Sequence, residues 1–396
     1  MSDTVALKKQ AIAAVDAISD ELISVSTTIH SNPETAFKEF KAAALLCDTL
    51  EAHGFAVERG LGGMATAFRA VADSGKAGPT IAILAEYDAL VEMGHACGHN
   101  IIAAAAVGGG IAVRSLLKDL PGRVEVIGTP AEEGGGGKVI LVKAGVFDHV
   151  DAAMMVHPSG RSMVSRGSLA FFSLNIEFKG RASHAAASPE EGINALEAVI
   201  QTFNNLNGIR LHFRTDARVH GIITHGGVAV NIVPEHAAAA FSVRAASQAY
   251  ANEILQRVIA CAEAAALSTG AKLEYTVEPG YAAITPNLTI GRLFAQNWRS
   301  IGVEVFDPRP NERMGSTDFG DVSQVTPGIH AYIAIVPDGT PGHSIEVRAA
   351  SVSPTGHKGM LDSAKALAMT TIELLNEPAL MAEVKHEFDR VVGAKK

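Results

Sequence analysis

Two histidines and a cysteine alternate with other residues in GHACGHN, residues 94–100, and four further stretches of the chain carry groups of the same chemical kind. Cys97 and His99 have a spacing that favours a metal, and they stand just before an apolar run that reads as a helix. A helix N-terminus stabilises a thiolate, the form of cysteine that binds metal. Glu132 and Glu133 follow an apolar strand in PAEEGGGG. Adjacent carboxylates there can divide the work, one holding a metal while the other acts as general base. His157 ends another apolar run, and TPGHSIE and TGHKGM place His343 and His357 near the C-terminus.

These residues give Cys, His, Glu, His and His with a free carboxylate beside them. A catalytic metal ordinarily keeps about three protein ligands and a water, so this larger set suits two divalent metals sharing a bridging hydroxide. A mixed nitrogen, oxygen and sulfur set fits zinc, manganese or cobalt better than calcium or magnesium. Two rival readings stand beside this one. Cys97 is also a candidate thiol nucleophile, and GGGG is a candidate phosphate cradle. The glycine run lacks the lysine–serine/threonine ending of a P-loop, and Lys138 alone does not supply it. We read the glycines as room for close approach at a crowded site. Cys47 and Cys261 fall in helical patterns and read as core.

The elements that must carry these residues follow from the apolar pattern. Residues 4–29 and 36–53 predict amphipathic helices. TIAILAEYDAL (80–90), GRVEVIGTPAEE and DAAMMVHPSG predict buried strands with polar ends. NIIAAAAVGGGIAVRSLLKDL predicts a helix with Asn100 as its N-cap, and another helix is expected near 138–144. Strands alternating with helices indicate a mostly parallel α/β sheet, in which ligands bind beyond the carboxyl ends of the strands. Asp88, the Glu132–Glu133 pair and His157 all sit at such ends. From about 168 the order becomes strand-helix-strand-strand-helix-strand, the signature of a small α+β sandwich. After about 285 the α/β alternation resumes and closes on a long helix from about 357. The expected domains are 1–167 and 285–396 for the α/β part, with 168–284 inserted.

The composition agrees. The chain has 396 residues, 47% of them hydrophobic, which suffices for a large core in two or three domains. Its net charge of −9, without any basic run, excludes nucleic acid as the expected partner. Three cysteines form no disulfide framework and point to a reducing compartment. MSDTVALKKQ has no basic segment leading into an apolar run, and IIAAAAVGGGIAV is short and glycine-rich for a membrane span. A soluble, cytoplasmic protein is expected.

GHACGHN, PAEEGGGGK, a histidine ending the next strand, GRASHAAASPEEGINAL and GSTDFGD resemble the M-twenty metallopeptidase family. The likeness covers nearly the whole chain. It is narrowest to the aminoacylase/carboxypeptidase branch, and within it to aminobenzoyl-glutamate hydrolases and β-alanyl-lysine dipeptidases. Many auxin-conjugate hydrolases of that branch have aspartate where Asn100 stands. The resemblance implies a di-metal exopeptidase-type catalytic domain interrupted by a lid that carries a dimer interface. It implies Cys97, His99, Glu133 and His157 as metal ligands and Glu132 as general base and acid. The last ligand is expected ahead of the final helix, where His343 fits and His357 is the alternative; His95 is not implied as a ligand. In the lid, His184 is implied to hold the oxyanion across the dimer, and Asn231 and Arg244 to bind the substrate carboxylate. The expected activity is hydrolysis, by metal-activated water, of N-acyl amino acids, aminobenzoyl-glutamate-like conjugates or dipeptides. The alternative is a non-catalytic metal- or peptide-binding protein on the same scaffold, against which Glu132 and the full ligand set argue.

Overall fold

A computed structural model describes residues 3–309 and 312–393 of the chain. Among them the strands are, in chain order, β1 (Ala56–Arg59), β2 (Phe68–Asp73), β3 (Thr80–Ala85), β4 (Arg123–Gly128), β5 (Ala152–Ser159), β6 (Ala170–Lys179), β7 (Arg218–His225), β8 (His236–Ala245), β9 (Lys272–Pro279) and β10 (Gly328–Ala334). They form two sheets in two units. One unit holds the described residues up to Gly167, those of Ile284–Met314 and those from Asp318 onward; the other holds Ser168–Ala283 with Gly315–Thr317.

In the first unit the sheet order is β1-β2-β4-β3-β5-β10. Strands β4, β3, β5 and β10 pair in parallel, while β1 and β2 run antiparallel at one edge. Every residue of β3 is buried, which is why TIAILA reads as a continuous apolar run rather than an alternating one. The helix His99–Leu116 is long and apolar enough to cross a membrane, yet here it is a core helix, with all of 99–113 buried. Its small residues pack against Leu22, Ala364 and Leu367.

Three details differ from the expectations. Asn100 is not the N-cap, which is Gly98; Asn100 is buried in the first turn, where its amide donates to Ser26 Oγ at 2.8 Å and the Ser351 carbonyl at 3.1 Å. The expected helix over 4–29 is two helices, Thr4–Ala17 and Ser19–Ser31. Asp20 and Glu21 give the second its own acidic first turn. The last long helix begins at Pro354, ends at Asn376 and is followed by Pro378–Val392. Pro378 cannot continue the preceding hydrogen-bond ladder and instead opens a new helix.

The second unit runs strand-helix-strand-strand-helix-strand, with an antiparallel sheet in the order β7-β8-β6-β9. Along β8, Ala237, Ala239, Phe241, Val243 and Ala245 are buried and their neighbours are half-buried, the period of a strand with one covered face. Helices Ala195–Ile209 and Gln248–Thr269 supply the rest of this core, through Ala198, Val199, Ile254 and Val258 among others. Their N-termini are capped by Asn194 and Ser247.

Candidate active site

The carboxyl ends of β3, β4 and β5 bring their polar residues together. Gly98 makes the first of these placements work. It sits at φ 79°, and a Cβ there would meet Pro158 Cγ at 2.8 Å. Only glycine fits that left-handed, close approach, which turns Cys97 and His99 toward the same point. Cys97 Sγ lies 3.2 Å from His157 Nε2. His157 donates from Nδ1 to the Pro158 carbonyl at 2.7 Å, so Nε2, which faces Cys97, is left as the acceptor nitrogen. Burial, with His99 nearby, lowers the His157 pKa to about 4 and keeps the ring neutral.

His99 is wholly buried. Its Nδ1 is bound to Asp88 Oδ1 at 2.9 Å, and its Nε2 makes no hydrogen bond. A carboxylate holding one ring nitrogen while the other faces a donor cluster is the usual arrangement around a metal-ligating histidine. Burial alone would disfavour the charged ring, but Cys97 and Asp88 outweigh it and hold the His99 pKa well above the ordinary value. Burial likewise works to raise the Asp88 pKa, and His99 more than reverses it. Asp88 Oδ2 accepts from the Glu133 backbone N–H at 2.9 Å, tying the ends of β3 and β4 together.

Glu133 Oε1 stands 3.8 Å from His99 Nε2 and 3.3 Å from His343 Nε2. Burial raises the Glu133 pKa, but the contact with His343 and the nearby His99 bring it below the usual value. His343 is held at φ 53°, a conformation uncommon outside glycine. Potential ligand atoms within 4.8 Å of one another join Cys97, His99 and His157; Cys97, Glu133 and His343; and His99, Glu132 and Glu133. Among the described residues His343 thus falls within the cluster, whereas His357 and His95 belong to none of these groups. The donor set and the orphaned, buried Nε2 of His99 fit a divalent cation.

Glu132 is presented by a strained turn. Ala131 sits at φ 62°, and its N–H is anchored by Glu39 Oε1 at 3.0 Å. Burial and the neighbouring carboxylates of Glu86 and Asp318 raise the Glu132 pKa well above that of an ordinary glutamate. That direction suits a group that must take a proton and return it. The glycines after it serve close approach, since a Cβ on Gly137 would meet the Pro130 carbonyl oxygen at 1.9 Å.

His184, Asn231 and Arg244 lie in the second unit. His184 Nδ1 accepts from the N–H groups of Ala186 and Ala187, both at 3.2 Å, so its exposed ring carries the proton on Nε2. Asn231 is exposed, and its backbone carbonyl accepts from the Ala185 N–H at 3.0 Å. Arg244, half-buried on β8, lies over the Phe171 ring at 5.1 Å and reaches Ser242 and Ser316. Sequence reasoning misses Glu39 and Glu86, gives no role to Asp318 and weighs Lys138 only for phosphate. Nothing in a single chain marks a buried lysine; the run GGGGK is its only signal.

Residues 79–355 match the model of Peptidase family M20/M25/M40. The chain belongs to this peptidase family. As a member of family M20 it is a hydrolase. The chain is 38% identical over 398 residues to the Xaa-Arg dipeptidase of Mus musculus, covering 96% of this chain and 92% of that protein. It is 32% identical over 457 residues to one of the p-aminobenzoyl-glutamate hydrolase subunits of Escherichia coli, covering 96% and 95%. The crystal structure of the YXEP protein of Bacillus subtilis, described as a dinuclear metal-binding M20 peptidase, superposes with a TM-score of 0.72 at 20% identity, covering 91% of this chain and 99% of that one. At that identity the likeness is one of fold.

Proposed function

We propose that this M20 hydrolase cleaves the amide bond of a small substrate, a dipeptide or an N-acyl or aminobenzoyl amino acid, with Glu132 carrying the proton. The observation behind this is the convergence of Cys97, His99, Glu133, His157 and His343 on one site, with Glu132 among them. Those five residues would hold two divalent metals, zinc or manganese with cobalt also suitable. When bound, the metals supply Lewis-acid polarisation of the carbonyl and a lowered pKa for water. Glu132 accepts the proton of the attacking water on its carboxylate and delivers it to the leaving amine. His184, protonated on Nε2, is suited to donate to the developing oxyanion, and Arg244 to grip the substrate carboxylate in a bidentate pair.

A homodimer through the second unit belongs to the same proposal. Its support is the exposed apolar set on and after the edge strand β7: Ile222, Ile223, Val228, Val230 and Ile232. Sedimentation should give twice the chain mass; a monomer that turns over normally would remove both the dimer and any role of His184 across it.

The test is release of free amine from dipeptides ending in arginine, p-aminobenzoyl-glutamate and N-acyl amino acids, with zinc or manganese restored. Hydrolysis of one group that a chelator abolishes supports the proposal. Turnover that survives chelation would point to Cys97 as a nucleophile instead, against the burial that pushes its thiol pKa far up. Metal binding with no hydrolysis across the panel would favour a binding protein.

A further inference from the structure

Beside Glu132 lies a cluster that the ligand set does not use. Lys138, Glu86 and Asp318 are all buried. Lys138 Nζ donates to Glu86 Oε1 at 2.5 Å and to Asp318 Oδ1 at 2.8 Å. Asp318 Oδ2 also accepts from the Lys138 backbone N–H at 2.9 Å, so one carboxylate grips the lysine at both ends. Carboxylate oxygens of Glu86, Glu132 and Asp318 lie within 4.8 Å of one another. Three carboxylates so close in a dry interior repel strongly, and an ammonium stripped of water is itself costly unless anions surround it. Each side of the cluster therefore needs the other. The second oxygen of Glu86, Oε2, makes no hydrogen bond and stands 3.5 Å from His99 Nε2. The cluster thus spans from the proton carrier to a ligand side chain.

We propose that Lys138, clamped between Glu86 and Asp318, is the positioning residue that holds Glu132 beside His99. The proposal rests on the reading of Glu132 given above. Without the ammonium, Glu132 is driven away from Glu86 and Asp318 and loses its alignment, while the metal ligands stay in place. A plain structural ion pair behaves differently. Its loss lowers stability, and removing the second charge restores part of that stability, while kcat per folded, metal-loaded chain stays at the wild-type value throughout.

The experiment compares Lys138→Met, Asp318→Asn and the double variant with wild type. Alanyl-arginine and p-aminobenzoyl-glutamate are the substrates, and metal per chain is measured by atomic absorption. Lys138→Met should bind metal as wild type does, keep its KM, and lose on the order of 10²-fold in kcat, the cost of a misplacement of about 1 Å. The double variant, with one negative charge fewer, should recover part of that kcat. Wild-type kcat in Lys138→Met, or a double variant no better than the single one, overturns the proposal. If Lys138→Met does not fold, Asp318→Asn carries the test, since it keeps shape and an acceptor. A lowered kcat at unchanged KM and metal content supports the proposal, and unchanged kcat overturns it. Glu132→Gln is run alongside. Turnover surviving there removes the reading of the site itself. Its loss beside an unaffected Lys138→Met removes only the role of Lys138.

Discussion

At the scale of single residues, the site depends on which atom each side chain leaves free. Asp88 fixes His99 by Nδ1, and the Pro158 carbonyl fixes His157 by the same atom, so both rings present Nε2. Asp88→Asn keeps the size but offers its acceptor and donor ambiguously, and it removes the charge. We expect metal affinity to fall about 10–100-fold, the usual cost of losing such a partner, with little change in the metal-free fold. Calorimetric titration with zinc checks this; unchanged affinity would show that Asp88 does not orient a ligand. The types and spacing of Cys97, His99, Glu132, Glu133 and His157 were legible in the sequence because they cluster in short motifs at strand ends. Asp318 and Lys138 were not. They lie 180 residues apart in the chain, and only the fold places them 2.8 Å from each other.

At the scale of elements, the turns matter more than the strands. The period of apolar residues announced β3, β4, β5 and the second unit's strands, because burial on one or both faces writes itself into the sequence. It did not announce β1, since AVER is mostly exposed and carries little pattern, and β2 went unread although Phe68, Ala70 and Ala72 alternate as buried residues, because the run is only six residues long. Nor did it show that Gly98, and not Asn100, ends the turn before the core helix. Gly98 and Gly60 provide a controlled comparison. Both hold positive φ, but a Cβ on Gly60 meets nothing within 4 Å, while one on Gly98 strikes Pro158. Gly60→Ala should cost only the left-handed strain of about 1–2 kcal/mol. Gly98→Ala should cost more and should also weaken metal binding by moving Cys97 and His99. Thermal melts and metal titration of the two variants check this. Equal losses in both, with metal affinity intact, would show that the turn does not set the ligand geometry.

At the scale of the whole molecule, buried histidines make the metal-free protein sensitive to acid. Burial lowers His157 to about 4 and His95 to about 3, and it holds His330 well below the ordinary value. An unfolded histidine titrates near about 6.5. Between that value and the folded pKa the unfolded chain binds more protons, so these residues contribute stability that is present above about 6.5 and lost as pH falls toward 4. His99 and His343, with raised pKa values, work in the opposite sense, their contribution being full at low pH and lost as pH rises. His95, outside the ligand groups, isolates the first sense: the melting temperature of the chelated His95→Gln variant should fall less between pH 7.5 and pH 5 than that of wild type, and an equal fall would contradict this. The central claim, however, is that Glu132 carries the proton in metal-dependent amide hydrolysis. The most direct measurement is turnover of the metal-loaded Glu132→Gln variant on the substrate that wild type cleaves. We predict a folded protein with wild-type metal content and a kcat reduced on the order of 10²–10⁴-fold. A kcat near that of wild type, with the metal in place, would contradict the account.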